Sequence, residues 1–262
     1  MMIEVRFEAL RVSAMRVLWM LVGIALVTGS VMAAAIMAMS REGVSPEAFL
    51  HAVTPSMSVA MTRGPFTVSV SVLLGVLLVS RDLRPGASGA TMMLFPRRGR
   101  LFAARLAVIG AVAAVTAAAT AGLSLVSATL VLPDGAAVDG QTLLRVAGML
   151  VIAQTCFALI GAALALLTKS AGTAAAIAFG WILIVEPAAR FAVFATDRMA
   201  AVAEYLPVAA ANAMVHSLSN GSSANEPDLI SATPVTASVA LIGLTAVLAT
   251  WAWAGFRNRP LL

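Results

Sequence analysis

The sequence predicts an all-α, polytopic membrane protein: about six transmembrane helices behind an N-terminal amphipathic interfacial helix. Composition is the first reason. Hydrophobic residues make up 61% of the chain and charged residues 11%, against about 25% charged in an ordinary soluble domain. Mean hydropathy is +0.97. The second reason is spacing: the few charges cluster, leaving uncharged runs of the roughly 20 residues that a bilayer crossing requires. The third is that basic and aromatic residues mark the ends of those runs, as at a membrane–water boundary.

Residues 1–16 read as the interfacial helix. Ile3, Phe7, Leu10 and Ala14 recur on one helical face, with Glu4, Glu8, Arg11 and Met15 on an adjacent one. Such a helix lies in the headgroup plane and turns into the first span; the alternative is a solvated lead-in of no fixed pose. The first span covers residues 17–38, which carry no charge. A secretory signal is the competing reading of this start, since Ala33-Ala34-Ala35 resembles a cleavage site. Glu4 and Glu8 and the length of the apolar run favour a retained helix.

The second span ends at Ser80 and is short from Pro65 onward, so residues 57–64 are expected to complete it, with Arg63 reaching for headgroups. The third covers residues 106–132 and the fourth 146–168. A fifth begins at 171–185, and the sixth covers 234–256, closing on Trp251, Trp253 and Phe256 before Arg257. Residues 186–233 form an outer loop with room for short re-entrant helices. The whole chain is one transmembrane domain.

Orientation follows the basic residues. With the N-terminus inside, twelve of seventeen basic residues fall on the cytoplasmic side and nine of twelve acids outside. An even span count returns the C-terminus to the cytoplasm. The net charge of +5 is thereby used for orientation, and nucleic acid is not an expected partner. Arginine-, alanine- and valine-rich composition suggests a GC-rich bacterial genome, hence the bacterial inner (cytoplasmic) membrane. Cys156, the single cysteine, is expected to be a small buried hydrophobe.

Two segments invite a functional reading. Residues 81–105 hold six arginines and Asp82, broken by Pro85-Gly86 and Pro96. Orientation alone needs fewer arginines and no apolar patch, whereas Met92, Met93, Leu94 and Phe95 call for burial against membrane or a partner. The readings are a docking segment or a plain basic loop. The second segment is Trp-Ile-Leu-Ile-Val-Glu-Pro at 181–187. An ionisable residue near a span end is a functional-site hypothesis, and Pro187 bends or ends the helix. Alternatively Glu186 marks the outer interface, paired with Arg190 four residues on.

Catalytic and metal motifs are missing. No G-x-x-x-x-G-K-[ST] occurs, and the single lysine, Lys169, follows Thr168 instead of the required Gly. The chain is therefore not expected to hydrolyse ATP. His51 and His216 lie too far apart to suggest a metal site, and G-x-S-x-G and H-E-x-x-H are absent.

The pieces in order resemble the membrane-spanning permease subunits of type-2 ABC exporters, particularly actinobacterial ones, over nearly the whole chain. That family often carries an acidic-aromatic-basic-x-Gly-Thr stretch after its second span; here stands Asp82-Leu83-Arg84-Pro85-Gly86-Ala87, with Leu for the aromatic and Ala for Thr. Thr91 through Pro96-Arg97-Arg98-Gly99-Arg100, then Ala103-Ala104-Arg105, continue the pattern, as do Trp181 to Glu186-Pro187 and Leu206-Pro207. The resemblance implies a separate ABC ATPase subunit, holding ATP and Mg itself, docked under residues 81–105 and the lead helix. It implies a second permease chain, identical or related, and no cofactor or catalytic residue in this chain. Coupling would rest on Asp82, Arg84, Gly86, Pro96, Arg97 and Arg98, and an outer gate on Glu186, Pro187 and Pro207. The rival classes are a secondary transporter with Glu186 as proton site, a non-transporting anchor or sensor subunit and, more distantly, an intramembrane enzyme. Substrate is not legible.

Overall fold

Small side chains decide how this chain packs. In a lipid solvent, helices gain little from the hydrophobic effect on meeting one another, so close backbone approach and dispersion hold the bundle. A computed structural model describes residues 2–41, 65–80, 83, 98–130, 140–193, 205–216 and 233–257. Among the described residues it is all-helical, with no strand. The helices are α1 (Met2–Ser13), α2 (Arg16–Arg41), α3 (Pro65–Ser80), α4 (Arg98–Thr129) and α5 (Gly140–Thr168). They continue as α6 (Ala171–Gly180), a π-helical turn (Trp181–Val185), α7 (Glu186–Val193), α8 (Pro207–His216) and α9 (Pro234–Arg257).

Among the described residues, four stretches are long and apolar enough to cross a bilayer: Gly99–Ser127, Leu144–Thr168, Ala171–Ala189 and Val235–Arg257. The bent pair α1–α2 makes a fifth when the two are counted as one crossing. The sixth expected crossing corresponds to α3, whose 16 residues rise about 24 Å at ~1.5 Å each, short of a ~30 Å hydrocarbon core. Its expected completion, residues 57–64, lies outside the described residues.

Helix α5 sits at the centre, packed on α3, α4, α6, α8 and α9. Its face toward α3 is built from Ala158, Gly161, Ala162 and Ala165, all buried. A Cβ on Gly75 of α3 would fall 1.8 Å from the Ala158 carbonyl oxygen, and one on Gly161 would fall 2.2 Å from that of Val72. The two backbones therefore touch, and glycine is required at both positions. Gly29 of α2 likewise lies under Thr120 of α4, whose methyl group would be 2.4 Å from an added Cβ.

Contacts along the bundle fix the directions of the helices. Glu8 of α1 meets Arg105 and Gly29 faces Thr120, so α2 and α4 run the same way. Gly110 faces Thr155, while Ala121 clusters with Val146 and Leu150, so α4 and α5 are antiparallel. Ser71 meets Gln154 and Gly75 lies on Ala158, making α3 parallel to α5. Phe102, early in α4, packs on Trp253 and Phe256 at centroid separations of 5.3 and 5.7 Å. The starts of α2 and α4, the ends of α3, α5 and α9, and α1 thus share one end of the molecule.

Helix α1 meets α2 at 73°. Val12, Met15 and Leu18 are buried at the corner, and the Trp19 indole N–H donates to the Ser13 carbonyl at 2.9 Å, stitching the bend. Ile3 and Leu10 of the expected apolar face, with Ala14, are exposed outward, Phe7 is half-buried, and Glu8 and Met15 of the adjacent face turn inward.

One further boundary differs from expectation and one agrees with it. The segment 81–105 is not a loop throughout: α4 begins at Arg98, because nothing after Pro96 breaks a helix and Leu101, Phe102 and Ala104 bury on one side of it. At the other junction, α5 and α6 are joined through Lys169 in the left-handed region (φ 56°) and Ser170, whose hydroxyl accepts from the Thr173 amide at 3.3 Å. This is a helix-ending conformation followed by an N-cap.

Candidate functional site

The expected outer-gate residues are brought together. Pro187 has no N–H to offer the carbonyl of Leu183, and its ring would clash there in a regular α-helix. The chain resolves this by widening one turn: the Glu186 N–H donates to the Trp181 carbonyl, five residues back, at the end of the π-helical segment. π turns of this kind insert an extra residue into a helix and rotate the residues beyond it. Ile182 is buried, while Leu183, Ile184 and Val185 stay exposed and Glu186 is carried inward to 1% exposure.

There the Glu186 carboxylate oxygen Oε1 accepts a 2.6 Å hydrogen bond from the backbone N–H of Ala209. Ala209 is the third residue of α8, which Pro207 opens. First-turn amides have no partner inside their own helix, and a carboxylate beside them is favoured by the helix dipole. Pro207 itself suits the first helical position, where its missing N–H costs nothing. Glu186 is therefore a cap supplied by one helix to the start of another, 23 positions away in sequence. Pro187 acts through the turn it imposes. The expected pairing of Glu186 with Arg190 involves an arginine side chain outside those described.

The opposite end holds a second buried charge site. Glu8 and Arg105 form an ion pair at 3.1 Å, their side chains 4% and 5% exposed. Arg105 Nε also faces the same carboxylate oxygen at 3.4 Å, and Arg11 approaches the other at 3.3 Å from one turn along α1. The pair ties α1 to the first turns of α4. Sequence reading placed Glu8 on the polar face and Arg105 in a motif without joining them, although Glu8, Val12 and Met15 share a helical stripe that marks a buried face.

Between α2, α3, α4 and α5 lies a mainly apolar cavity of about 20 Å³ with a few polar groups at its wall, the size of a single water. Thr67, Ser71, Thr116, Thr120 and Gln154 border it among small and aliphatic residues. Ser71 donates to the Gln154 side-chain oxygen. Thr116 and Thr120 each donate to the carbonyl four residues back at 2.8 Å. With Ser124 they mark one polar stripe along α4 at four-residue spacing, a periodicity that sequence reading did not exploit.

Of the expected coupling residues, Asp82, Arg84, Gly86, Pro96 and Arg97 lie outside the described residues, and of Arg98 only its place at the start of α4 is described. Leu83, between two of them, is half-buried and packs on the core. Cys156 is a free, buried thiol within α5. Among the described residues no group of three or more His, Cys, Asp or Glu side chains gathers to hold a metal. Comparison with protein-family models and with curated proteins matches this chain to none of them.

Proposed function

We propose that this chain is the permease subunit of an ATP-driven exporter of the type-2 ABC class, forming the substrate path and coupled to a separate ATPase subunit. The observation that carries the reading is the buried Glu8–Arg105 pair. It fastens the lead helix to α4 at the last residue of the basic segment proposed to receive the ATPase, so a push there would reach α1 and α4 together. Removing one member of a buried pair costs far more than the pair contributes net, which suits a joint that must not slip. The shared end of α1 and the α9 terminus supports an even number of crossings, with both placed in the cytoplasm on the basic-residue rule. The ATPase would dock on Asp82, Arg84, Gly86 and Pro96–Arg98 and would hold ATP and Mg. A second permease chain would complete the path, and no chemistry on substrate is assigned.

Glu186 is the point at which the secondary-transporter alternative is weighed. Its carboxylate is engaged on an amide at the start of α8, which supports a gate-positioning role over a proton carrier that must exchange between two sides. The experiment is a search of the neighbouring genes for a P-loop ATPase, co-expression with it, reconstitution in nanodiscs, and measurement of complex formation and ATPase stimulation. A stable complex with stimulated hydrolysis, lost in Arg84→Glu/Arg97→Glu, is expected. No complex and no stimulation would refute the exporter reading; a complex indifferent to the double substitution would refute the docking assignment.

A further inference from the structure

We infer that the outward face of α1 is a binding surface for anionic lipid headgroups, with its apolar residues inserted among the acyl chains. The inference stands on charge segregation along one short helix. Both acids of α1 turn toward the protein: Glu8 is buried against Arg105 and Arg11, and Glu4 is half-buried. The outward face retains Met2, Ile3 and Leu10, respectively 90%, 76% and 64% exposed, together with the exposed Arg6 and, at the corner, Arg16. An amphipathic helix that carried its acids outward would be repelled by an anionic leaflet. This one has turned them in and presents cations beside insertable side chains.

Geometry supplies the second argument. Because α1 meets α2 at 73°, an upright α2 holds α1 nearly along the membrane surface, fixed there by the buried corner and the Trp19–Ser13 hydrogen bond. The same end of the bundle also exposes Arg100, Lys169 and Arg257, which extends the cationic rim beyond α1 across the starts and ends of neighbouring helices. Juxtamembrane basic residues of this kind attract anionic lipid electrostatically, and the attraction is screened by salt. The occupant is the lipid leaflet; free phosphate lacks the acyl chains that Ile3 and Leu10 would meet. None of this requires the exporter reading, since it involves no ATPase partner.

The test uses the full chain carrying an environment-sensitive fluorophore at Ile3→Cys in a Cys156→Ala background, held in neutral detergent. Phosphatidylglycerol, phosphatidylcholine or glycerol phosphate is titrated in. A blue shift at lower lipid concentration with phosphatidylglycerol than with phosphatidylcholine is expected, and none with glycerol phosphate. Arg6→Gln should weaken the apparent phosphatidylglycerol affinity about fivefold, and Arg6→Gln/Arg16→Gln about 30-fold, without altering the phosphatidylcholine response. Leu10→Ser should reduce the shift in both lipids, and raised salt should remove only the difference between them. Arg145→Gln, at the opposite end of the bundle, serves as the charge control. Equal responses to the two lipids, an unaffected double variant, or an equal effect of Arg145→Gln would overturn the inference. Unchanged helix content and elution volume identify variants that remain folded, and the single Arg6→Gln change keeps the test decisive if the double variant does not.

Discussion

Replacing Gly75 with alanine is the sharpest probe of how this bundle is held. The new Cβ would lie 1.8 Å from the Ala158 carbonyl oxygen, 2.7 Å from its carbon and 2.9 Å from the Ala162 nitrogen. All three are backbone atoms, so no side chain can rotate away. Restoring an ordinary contact of about 3.4 Å requires α3 and α5 to part by roughly 1.6 Å at their crossing, which forfeits dispersion along the contact. Overpacking costs run to about 3 kcal/mol, while glycine-to-alanine in a helix returns about 1 kcal/mol. The net destabilisation is therefore about 2 kcal/mol, or about 30-fold in the folding equilibrium. Gly243 of α9 provides the matched control, because a Cβ there meets nothing within 4 Å; Gly243→Ala should be neutral or stabilising by up to ~1 kcal/mol. Reversible unfolding in mixed micelles of dodecyl maltoside and SDS, followed by circular dichroism, measures both. Equal stabilities for Gly75→Ala and Gly243→Ala would refute the backbone-contact account. Gly161→Ala should resemble Gly75→Ala, and the double variant should cost less than the sum, since one separation relieves both clashes.

Glu8→Ala should destabilise by about 3 kcal/mol in the same unfolding assay, because it leaves the buried Arg105 charge without its carboxylate. Arg105→Ala should cost less, since Glu8 keeps Arg11 at 3.3 Å, and the double variant should recover part of the Glu8→Ala loss. Hydrogen exchange by mass spectrometry should show the start of α8 exchanging about tenfold faster in Glu186→Ala, the loss of a cap being worth ~1 kcal/mol or more; Glu186→Gln, which keeps an acceptor oxygen, should fall between. Pro187→Ala restores an N–H at that position and with it a regular turn, so it should protect residues 181–189 while loosening α8, whose cap would rotate away. Protection of α8 unchanged in Pro187→Ala would show that the π turn does not position Glu186.

Much of the membrane architecture was legible from hydropathy because lipid leaves few choices: an uncharged run of sufficient length must be a helix. The expected spans at 146–168 and 234–256 agree with the apolar stretches Leu144–Thr168 and Val235–Arg257 to within two residues, although helix α5 itself starts earlier, at Gly140. Local chemistry also flagged Glu186-Pro187 and Leu206-Pro207 separately. What could not be read was their union, since it depends on a widened turn rotating Glu186 onto a backbone amide that has no sequence signature. Glu8 and Arg105 were each visible as charges, but an attachment across 97 positions is a property of packing. The glycines at 75 and 161 were likewise visible only as general suitability for close approach; which of the chain's 19 glycines touch backbone is decided by how the helices cross. The coupling segment carries the most sequence information and lies chiefly outside the described residues.

The contact between α3 and α5 also bears on how such a molecule can move. Two helices separated by side chains can slide by exchanging rotamers, whereas two joined carbonyl to Cα have no such lubricant. Gly75 against Ala158 and Gly161 against Val72 thus make α3 and α5 behave as one stator, and shape change is left to elements that meet them through ordinary side chains. The junction of Glu186 with α8 is of another kind: a turn already wound off register sets one carboxylate on one backbone amide, beside ordinary side-chain packing of α8 on α5 and α9.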